Sequence, residues 1–319
     1  MSGLVLGCDG GNTKTVAVVA GPDGRIAGWG RAGSSDVHDV AGEQAALREL
    51  HAAVDAACAM AGGTAADVEA AVFGLAGADW PEDFQLLRDE LGARLGCAPV
   101  VLNDAVNAVR CGTDDGVGVV VSCGTGGTAA AVGPDGRVYH RGFWPAPSGA
   151  REIGRLGLQA VQNAHLGLGP ATSLTTAALA RYGGGDADEL LHLRTRRGRG
   201  PETDARWFCP DVLDAAAAGD AVAVAIVAGE GRVLGGQARV SAQAVGFTGT
   251  FPVVLVGGVF KHPGPLLRQA VLAELPGAEP VAARWEPAIA ALLRALGGAA
   301  DAEAAVSASL PDAAVFATD

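Results

Sequence analysis

The feature that most constrains the fold of this chain is a short internal repeat. The segment Ala20–Arg25 reads Ala-Gly-Pro-Asp-Gly-Arg, and it recurs 112 residues later as Val132–Arg137 with only its first residue changed. In both copies an apolar run, a glycine-rich turn and a second apolar run precede the Pro-Asp-Gly turn. Agreement on both sides of a common turn favours duplication of a whole unit over chance recurrence. The sequence therefore predicts two related halves.

Apolar strands alternate with helical segments along the chain. Strand patterns at 4–9, 70–77 and 99–104 end in glycines or a carboxylate, and helical spacing of apolar residues follows at 43–60 and 81–95. The part after the repeat is mostly helical until a last strand at 252–256. This alternation predicts an α/β fold. We expect a first domain at 1–112 and a second at 113–319, the latter with a helical insert.

Charge and composition exclude several classes of partner. The 319 residues carry a net charge of −12, and Lys14 and Lys261 are the only lysines. This balance argues against binding to nucleic acid or to anionic lipid, which needs clustered basic residues. No apolar run reaches the roughly 18 residues of a membrane span. The six cysteines form no C-x-x-C pair, so we expect free thiols and a cytoplasmic location.

Glycine-rich turns follow the first strand of each repeated unit. Exposed backbone N–H groups at such turns form concave sites for anions, and the missing side chains let phosphate oxygens approach. One such turn alone is more often a simple hairpin, whereas a duplicated pair in a cleft between two halves suits a nucleotide polyphosphate. Asp9 precedes the first turn and is a candidate Mg²⁺ ligand, directly or through water. The candidate phosphate-binding residues are Gly10, Gly11, Asn12, Thr13 and Lys14 in the first turn, and Gly124, Thr125, Gly126 and Gly127 in the second.

Asp104 ends the short strand at 99–104 and has two interpretations. It fits a general base that takes the proton of a substrate hydroxyl as that hydroxyl attacks the γ-phosphate of a nucleotide. It equally fits the N-cap of the helix expected at 105–111, because Asn103 and Asp104 form a good N-terminal pair. The pattern alone leaves both open.

These motifs, in this order, resemble one known family. Residues 8–15 are similar to its first phosphate motif D-G-G-x-T-K-T, residues 74–83 to its G-L-A-G-x-x-x-P-E-D segment, and residues 103–105 to its N-D-A motif. Residues 123–126 resemble its second phosphate motif. The family is the sugar kinase, Hsp70 and actin superfamily of ATPases, and within it the N-acetylglucosamine kinase and BadF/BadG-type group. The resemblance runs from about residue 4 to residue 297.

The resemblance implies a two-lobed actin/hexokinase-like, ribonuclease H-like fold, with duplicated sheet domains around an ATP cleft. It implies that Asp104 is the catalytic base. It also implies that Gly219, Gly257 and Gly258 border the adenosine, because residues 218–220 and 256–259 are similar to the family's adenosine elements.

The expected sugar site departs from the family pattern. The family has G-G-W-G followed by G-D-E-G-S, whereas this chain reads Gly-Phe-Trp-Pro-Ala-Pro-Ser-Gly-Ala-Arg-Glu over residues 142–152. The family carboxylates would then fall on Gly149 and Ala150, with Glu152 as a substitute after a small shift. Asp36 stands where amino-sugar kinases of this group carry Asn, which would favour a free amine or a differently placed hydroxyl. The remaining candidate substrate residues are Gly142, Phe143 and Trp144; the two aromatic rings fit either sugar stacking or core packing.

The sequence thus favours a cytoplasmic kinase that uses ATP and Mg²⁺ to phosphorylate a hydroxyl of an amino sugar, N-acetylglucosamine or glucosamine, or of a related hexose. The expected partner is a small-molecule sugar, and a homodimer is one option. One alternative is a non-catalytic sugar or nucleotide sensor, motivated by the missing G-D-E-G-S motif. Another is an ATPase activator of a dehydratase, which would need cysteine ligands for an iron–sulfur cluster.

Overall fold

The fold of the first half is built on a mixed five-stranded sheet. The computed structural model describes residues 3–39, 41–140, 147–297 and 300–317. In the first sheet, β1 pairs antiparallel with β2 and parallel with β4, and the strand order is β3-β2-β1-β4-β5. Its strands are β1 (Leu4–Gly10), β2 (Thr15–Ala20), β3 (Ile26–Ala32), β4 (Val68–Leu75) and β5 (Val100–Asn103).

A second five-stranded sheet repeats this order. Its strands are β6 (Gly118–Cys123), β7 (Gly127–Val132), β8 (Val138–Tyr139), β9 (Phe251–Val256) and β10 (Ala278–Val281). The order β8-β7-β6-β9-β10 corresponds strand for strand to the first sheet. The duplication predicted from the Pro-Asp-Gly repeat agrees with this correspondence, and the predicted α/β class is confirmed.

Helices cover both faces of the first sheet. The alternation of β1 places Leu4, Leu6 and Cys8 in a core with α1, and Val5 in a separate core with α10. The helices are α1 (Glu43–Met60), α2 (Pro81–Gly92), α3 (Asp104–Ala108), α4 (Ala150–His165), α5 (Leu174–Tyr182), α6 (Ala187–Thr195), α7 (Cys209–Ala217), α8 (Ala221–Ala244), α9 (Leu266–Ala273), α10 (Pro287–Ala295) and α11 (Ala300–Ala308). A 3₁₀ helix at Ala313–Phe316 follows and adds Val315 and Phe316 to the second of these cores.

Three elements differ from the sequence prediction. The pattern missed β8, which has two residues, and β10, which is partly exposed and contains Pro280. Proline is tolerated in a strand at the edge of a sheet, where β10 lies. The apolar spacing predicts a helix over 220–235, whereas α8 continues to Ala244. Gly231 and Gly235 face α9 so closely that a Cβ at either would overlap it, so these glycines permit helix packing instead of ending the helix.

The described residues divide into two compact units. The first draws on Met1–Val120, Ala131–His140 and Val281–Asp319, and the second on Val121–Ala130 and Arg141–Pro280. The C-terminal helices α10 and α11 therefore belong with the first sheet. The domain boundaries 1–112 and 113–319 stay a prediction from the sequence.

In the part of the chain described, no single helix has the length and hydropathy of a membrane span. Ala205–Ala217 and Ala221–Ala244 reach that composition only together, across a bend of 113°.

Alanine substitution at two glycines, Gly7 in β1 and Gly236 in α8, should change the stability of the protein in opposite directions. The reason is the close approach of β1 and α10 at Gly7. A Cβ at Gly7 would overlap the α10 backbone at Ala288 and Leu292, so Gly7→Ala should lower the free energy of unfolding by about 1–3 kcal/mol. Gly236 lies within α8 with open space at its Cβ position. Gly236→Ala should therefore raise stability by about 0.5–1 kcal/mol. Urea denaturation of the two variants measures both values, and equal effects would contradict this packing.

Candidate active site

The first glycine turn lies at the carboxyl end of β1 and contacts two further loops. The turn closes with a 2.9 Å hydrogen bond from Gly11 N–H to Lys14 O. Ala76 N–H donates to Gly10 O at 2.8 Å, and Ser35 N–H donates to Gly11 O at 3.3 Å. Because β1, β4 and β5 are parallel, their carboxyl ends lie at one edge of the sheet, where α/β proteins commonly bind ligands.

Asp9 and Lys14 belong to one group of charges at this edge. Burial raises the pKa of Asp9 to about 7; the charges of Asp104 and Glu286 also raise it, while Lys14 lowers it. The Lys14 ammonium donates to the backbone carbonyl of Phe316, in the C-terminal 3₁₀ helix. The predicted metal ligand Asp9 and the predicted phosphate-binding Lys14 are thus brought together with Asp104.

No group of three or more His, Cys, Asp or Glu side chains is arranged to hold a metal ion within the described ranges. Mg²⁺ bound to a nucleotide usually needs only one or two protein carboxylates, with phosphate oxygens and water completing the shell. The carboxyl group of Asp9 is a suitable oxygen donor for that arrangement. The residues present therefore fit a nucleotide-bound cation and do not form an all-protein metal cage.

Asp36 is buried beside the first glycine turn. It accepts hydrogen bonds from Asn12 Nδ2 at 2.7 Å and from the backbone N–H of His38 at 2.9 Å. Gly77 has φ +78°, and a Cβ there would lie 2.6 Å from Asp36 Oδ1. Gly77 thus allows the loop after β4 to approach the Asp36 loop. The structure brings together two predicted site residues, Asn12 and Asp36.

Asp83 connects the N-terminus of α2 to the loop that contains Asp36 and His38. Asp83 Oδ2 accepts the N–H of Trp80 at 2.8 Å and that of Asp79 at 3.2 Å, which caps the helix. His38 Nε2 lies 3.2 Å from the same oxygen. Burial lowers the pKa of His38, but the hydrogen bond and charge of Asp83 outweigh it and raise the pKa overall. The His38–Asp83 contact joins two loops that border Asp104.

Asn103 orients the backbone at Asp104. It is buried and is the N-cap residue of α3, with Oδ1 accepting the N–H of Ala105 at 3.1 Å. Its Nδ2 donates to Asp79 Oδ1 at 3.0 Å and to Ala78 O at 3.4 Å. Asp104 is the first helical residue, and its Oδ1 also accepts the Ala105 N–H at 2.7 Å. The N-cap position predicted as one alternative for Asp104 is therefore held by Asn103.

The carboxyl groups near Asp104 alter one another's ionisation. Burial raises the pKa of Asp104 to about 6; the Ala105 N–H opposes this rise, and the charges of Asp79 and Asp36 add to it. Burial and the charge of Asp36 likewise raise the pKa of Asp79 to about 6. Carboxyl groups with pKa values raised by burial and like charge are typical of proton-transfer sites.

The second glycine turn lies against the start of α4. Ala150 N–H donates to Gly124 O at 2.8 Å and Arg151 N–H to Thr125 O at 3.1 Å. Gly149 has φ +94°, and a Cβ there would overlap the backbone of Gly126. No described residue lies within 4 Å of the Cβ position of Gly126, so packing among the described residues does not require glycine at 126.

Glu230 on α8 accepts the N–H of Gly149 at 2.6 Å. Burial raises the pKa of this carboxyl group to about 7; the Gly149 N–H lowers it and the charge of Glu152 raises it. Glu152, the suggested replacement for the family carboxylates, pairs with Arg155 at 2.7 Å.

The three remaining predicted glycines lie at element junctions. Gly257 has φ +101°, and a Cβ there would overlap the backbone of Cys123. Gly258 begins a 3₁₀ helix and has open space at its Cβ position. Gly219 has φ +89°, which favours glycine, and separates α7 from α8. Asp220, the N-cap of α8, would have its pKa raised by burial, but hydrogen bonds from Ala223, Ser173 and Thr172 lower it to about 2.

Several residues of the site were not predicted from the sequence. The predicted substrate residues Gly142, Phe143 and Trp144 lie outside the described residues. Asp83 had a local signal, since an acidic residue at N3 after Pro81 is a helix-start pattern. No local sequence pattern marks Asp79, His38 or Glu230, because the hydrogen-bond partners Asn103, Asp83 and Gly149 are distant from them in sequence.

The charge coupling between Asp79 and Asp104 can be tested directly. Asp79→Asn removes a nearby negative charge while retaining a group of the same shape, so the pKa of Asp104 should fall below about 6. A ¹³C NMR titration of the aspartate carboxyl carbons measures this shift. Asp89→Asn, at an exposed position on α2, is the matched control and should leave Asp104 unchanged. An unchanged Asp104 titration in Asp79→Asn would contradict the coupling.

Comparison with known proteins assigns the chain to a family. The N-acetyl-D-glucosamine kinase of Dictyostelium discoideum is 26% identical over 317 residues, which cover 92% of this chain and 98% of that protein. The structure of a candidate N-acetylglucosamine kinase from Chromobacterium violaceum is 25% identical, covers 92% of this chain and 98% of its own, and superposes with a TM-score of 0.69.

A glucokinase of the ROK family from Streptomyces griseus, solved with glucose and AMPPNP, shares the fold. Its TM-score is 0.57 at 21% identity, with 92% of this chain and 98% of that chain covered. Residues 6–295 match the BadF/BadG/BcrA/BcrD ATPase family. This match spans most of the chain, and the chain belongs to the BadF/BadG/BcrA/BcrD ATPase family.

Proposed function

We propose that this chain is an ATP-dependent kinase that phosphorylates a hydroxyl of an amino sugar or a related hexose. The observation that carries the proposal is the placement of Asp104 directly after β5, in one charge group with Asp9, which precedes the first glycine turn. The Dictyostelium discoideum and Chromobacterium violaceum relatives, described as N-acetylglucosamine kinases, support the amino-sugar class.

Asp104 is the proposed general base. In its ionised form it accepts the proton of the acceptor hydroxyl as the hydroxyl oxygen bonds to the γ-phosphorus of ATP. The bond between the γ-phosphorus and the bridging oxygen breaks, and ADP leaves. Positioning and electrostatics supply most of the rate in phosphoryl transfer. Asn103 contributes by fixing the backbone of Asp104 through three hydrogen bonds.

The two glycine turns are the proposed phosphate-binding elements. In the first, the turn amides and the ammonium group of Lys14 provide positive potential for phosphate oxygens. In the second, no described residue lies within 4 Å of the Cβ position of Gly126, which would leave room there for a phosphate oxygen. Gly219, Gly257 and Gly258 stay proposals for the adenosine side, supported by the family resemblance.

Asp9 would hold Mg²⁺, directly or through water, and bound Mg²⁺ would neutralise charge on the nucleotide phosphates. The pKa of Asp9, raised to about 7 by burial and neighbouring carboxylates, fits a position where a cation would be favourable. Asp36, Gly142, Phe143 and Trp144 stay proposals for the sugar site. A cytoplasmic location agrees with six free cysteines, and a homodimer stays one option.

No specific observation favours either alternative function, the ATPase activator of a dehydratase or the non-catalytic sensor. Five of the six cysteines, Cys8 and Cys123 among them, are buried, and the described His, Cys, Asp and Glu side chains form no group of three arranged to hold a metal ion. A non-catalytic sensor would not need a carboxyl group at the position of Asp104. Titration with amino sugars in the presence and absence of ATP, read as ATP turnover, separates a sensor from a kinase.

Substitution of the proposed base should stop catalysis without removing nucleotide binding. Asp104→Ala should lower the turnover number by about 10²–10⁴-fold, the usual contribution of a general base, and leave ATP affinity nearly unchanged. ADP release measured with glucosamine, N-acetylglucosamine and glucose tests turnover, and calorimetry tests binding. Asp89→Asn is the control. Sugar-dependent ADP release that survives in Asp104→Ala would overturn the assignment of the base.

The raised pKa of Asp104 also predicts an acidic limb in the pH profile. Protonated Asp104 cannot accept a proton, so activity should fall as the pH drops through about 6. In Asp79→Asn the limb should move to lower pH, because the pKa of Asp104 falls. The pH dependence of kcat/KM for the sugar measures the limb, and an identical profile in the two proteins would show that another group controls it.

A further inference from the structure

A buried carboxyl group in the middle of α8 has no part in the mechanism proposed above. Glu230 is 3% exposed and lies between Gly229 and Gly231. A carboxyl group is stable in such a place only when hydrogen bonds replace its lost hydration. The N–H of Gly149 provides one of them, donating to Glu230 Oε1 at 2.6 Å.

The partner of Glu230 is the residue directly before a long helix. Gly149 is the N-cap of α4, which has 16 residues. The N-terminus of a helix carries unpaired N–H groups and a partial positive charge, which stabilise a nearby carboxylate. Glu230 therefore fixes the position at which α4 begins.

The beginning of α4 is joined in turn to the second glycine turn. A Cβ at Gly127 would lie 2.9 Å from Leu234 Cδ2 of α8 and 3.0 Å from Gly149 N, so the turn, α8 and the start of α4 are in close contact. Three hydrogen bonds connect the segment 148–151 to the turn: Ala150 N–H to Gly124 O (2.8 Å), Arg151 N–H to Thr125 O (3.1 Å) and Ser148 Oγ to Gly127 O (2.7 Å).

These hydrogen bonds determine the direction of the turn amides. In a trans peptide the C=O and the following N–H point in opposite directions. With the carbonyls of Gly124 and Thr125 directed at α4, the N–H groups of Thr125 and Gly126 are directed away from it. Successive backbone N–H groups of a turn can form a concave site that binds an anion such as phosphate.

We propose that Glu230 is a positioning residue for phosphate binding: by holding Gly149 it fixes the start of α4, and through α4 the amides of the second glycine turn. The inference rests on the proposed function, because it takes the ligand of that turn to be a nucleotide phosphate. Glu230 acts through the backbone of the turn and touches no reacting atom.

Three substitutions separate the hydrogen bond from the charge and from the volume of the side chain. Glu230→Gln keeps the length and an acceptor oxygen. Glu230→Asp keeps the charge but shortens the side chain by one methylene, so it cannot reach Gly149 in the same backbone. Glu230→Ala removes the group. Gln237→Ala is the matched control, since Gln237 is a buried polar residue of the same helix whose side-chain atoms have no hydrogen-bond partner among the described residues.

Nucleotide affinity is the first measurement. Glu230→Asp and Glu230→Ala should weaken binding of AMPPNP with Mg²⁺ about tenfold and raise the KM for ATP similarly, as expected for loss of a charge-assisted hydrogen bond. The KM for the sugar should not change. Glu230→Gln should bind within about threefold of wild type, and Gln237→Ala should bind as wild type does. Thermal melting verifies that each variant is folded. If Glu230→Ala is not folded, the difference in nucleotide affinity between Glu230→Asp and Glu230→Gln tests the proposal.

Amide hydrogen exchange of the nucleotide-free protein is the second measurement. Peptides covering 124–127 and 148–151 should exchange faster in Glu230→Asp than in wild type or Glu230→Gln. Wild-type protein that does not bind the nucleotide would overturn the proposed function and this inference with it. Wild-type protein that binds, with a folded Glu230→Asp of equal affinity and equal exchange, would overturn the inference alone.

Discussion

One buried amide, the side chain of Asn103, determines the arrangement of the first unit's candidate site. Asn103 joins the loop after β4, through Ala78 O and Asp79 Oδ1, to the first turn of α3, through Ala105 N–H. A buried amide is costly unless its polar atoms are bonded, so these contacts favour one geometry. That geometry holds Asp79 near Asp104, although two carboxylates in a buried setting repel each other. Burial raises the pKa of both groups, and nearby carboxylates add to the rise: Asp36 at Asp79, and Asp79 with Asp36 at Asp104.

Glycine residues permit the close contacts on which that geometry depends. A Cβ at Gly74 would lie 2.7 Å from Cβ of Asn107 on α3, and one at Gly77 would lie 2.6 Å from Asp36 Oδ1. In the second unit, Gly149 and Gly257 allow the backbones of Gly126 and Cys123 to approach in the same way. The chain contains 48 glycines. At the four positions named above, glycine lets another segment lie within contact distance of the backbone, near the ends of the strands where several loops meet.

The sequence predicted what depends on local pattern. The Pro-Asp-Gly repeat predicted two equivalent sheets, and apolar spacing predicted α1, whose Leu47, Leu50, Val54 and Ala57 are all buried. Asp104 became a candidate because a carboxylate at the end of a strand is a recognisable feature, and its role as a base stays a prediction. Two-residue β8 was missed because it is too short to show alternation.

Contacts between distant segments could not be predicted. His38 and Asp83 are 45 residues apart and Gly149 and Glu230 are 81 apart, and neither pair has a spacing that marks it in the sequence. Hydrogen bonds of this kind depend on the completed fold. Burial, the main cause of the raised pKa values of Asp104, Asp79 and Glu230, also depends on the completed fold, so the electrostatics of the site had to come from the structure.

Lys14 shows how the structure changes the interpretation of a single residue. In a chain of net charge −12 with two lysines, its position in a phosphate-like turn suggested a mobile cation for a nucleotide. The structure shows its ammonium donating to the carbonyl of Phe316, whose 3₁₀ helix packs on the first sheet. Its charge also lowers the pKa of Asp9, against the effect of Asp104 and Glu286. Lys14 therefore balances the carboxylates of the site before any ligand binds, and the C-terminal segment that orients it is part of that balance.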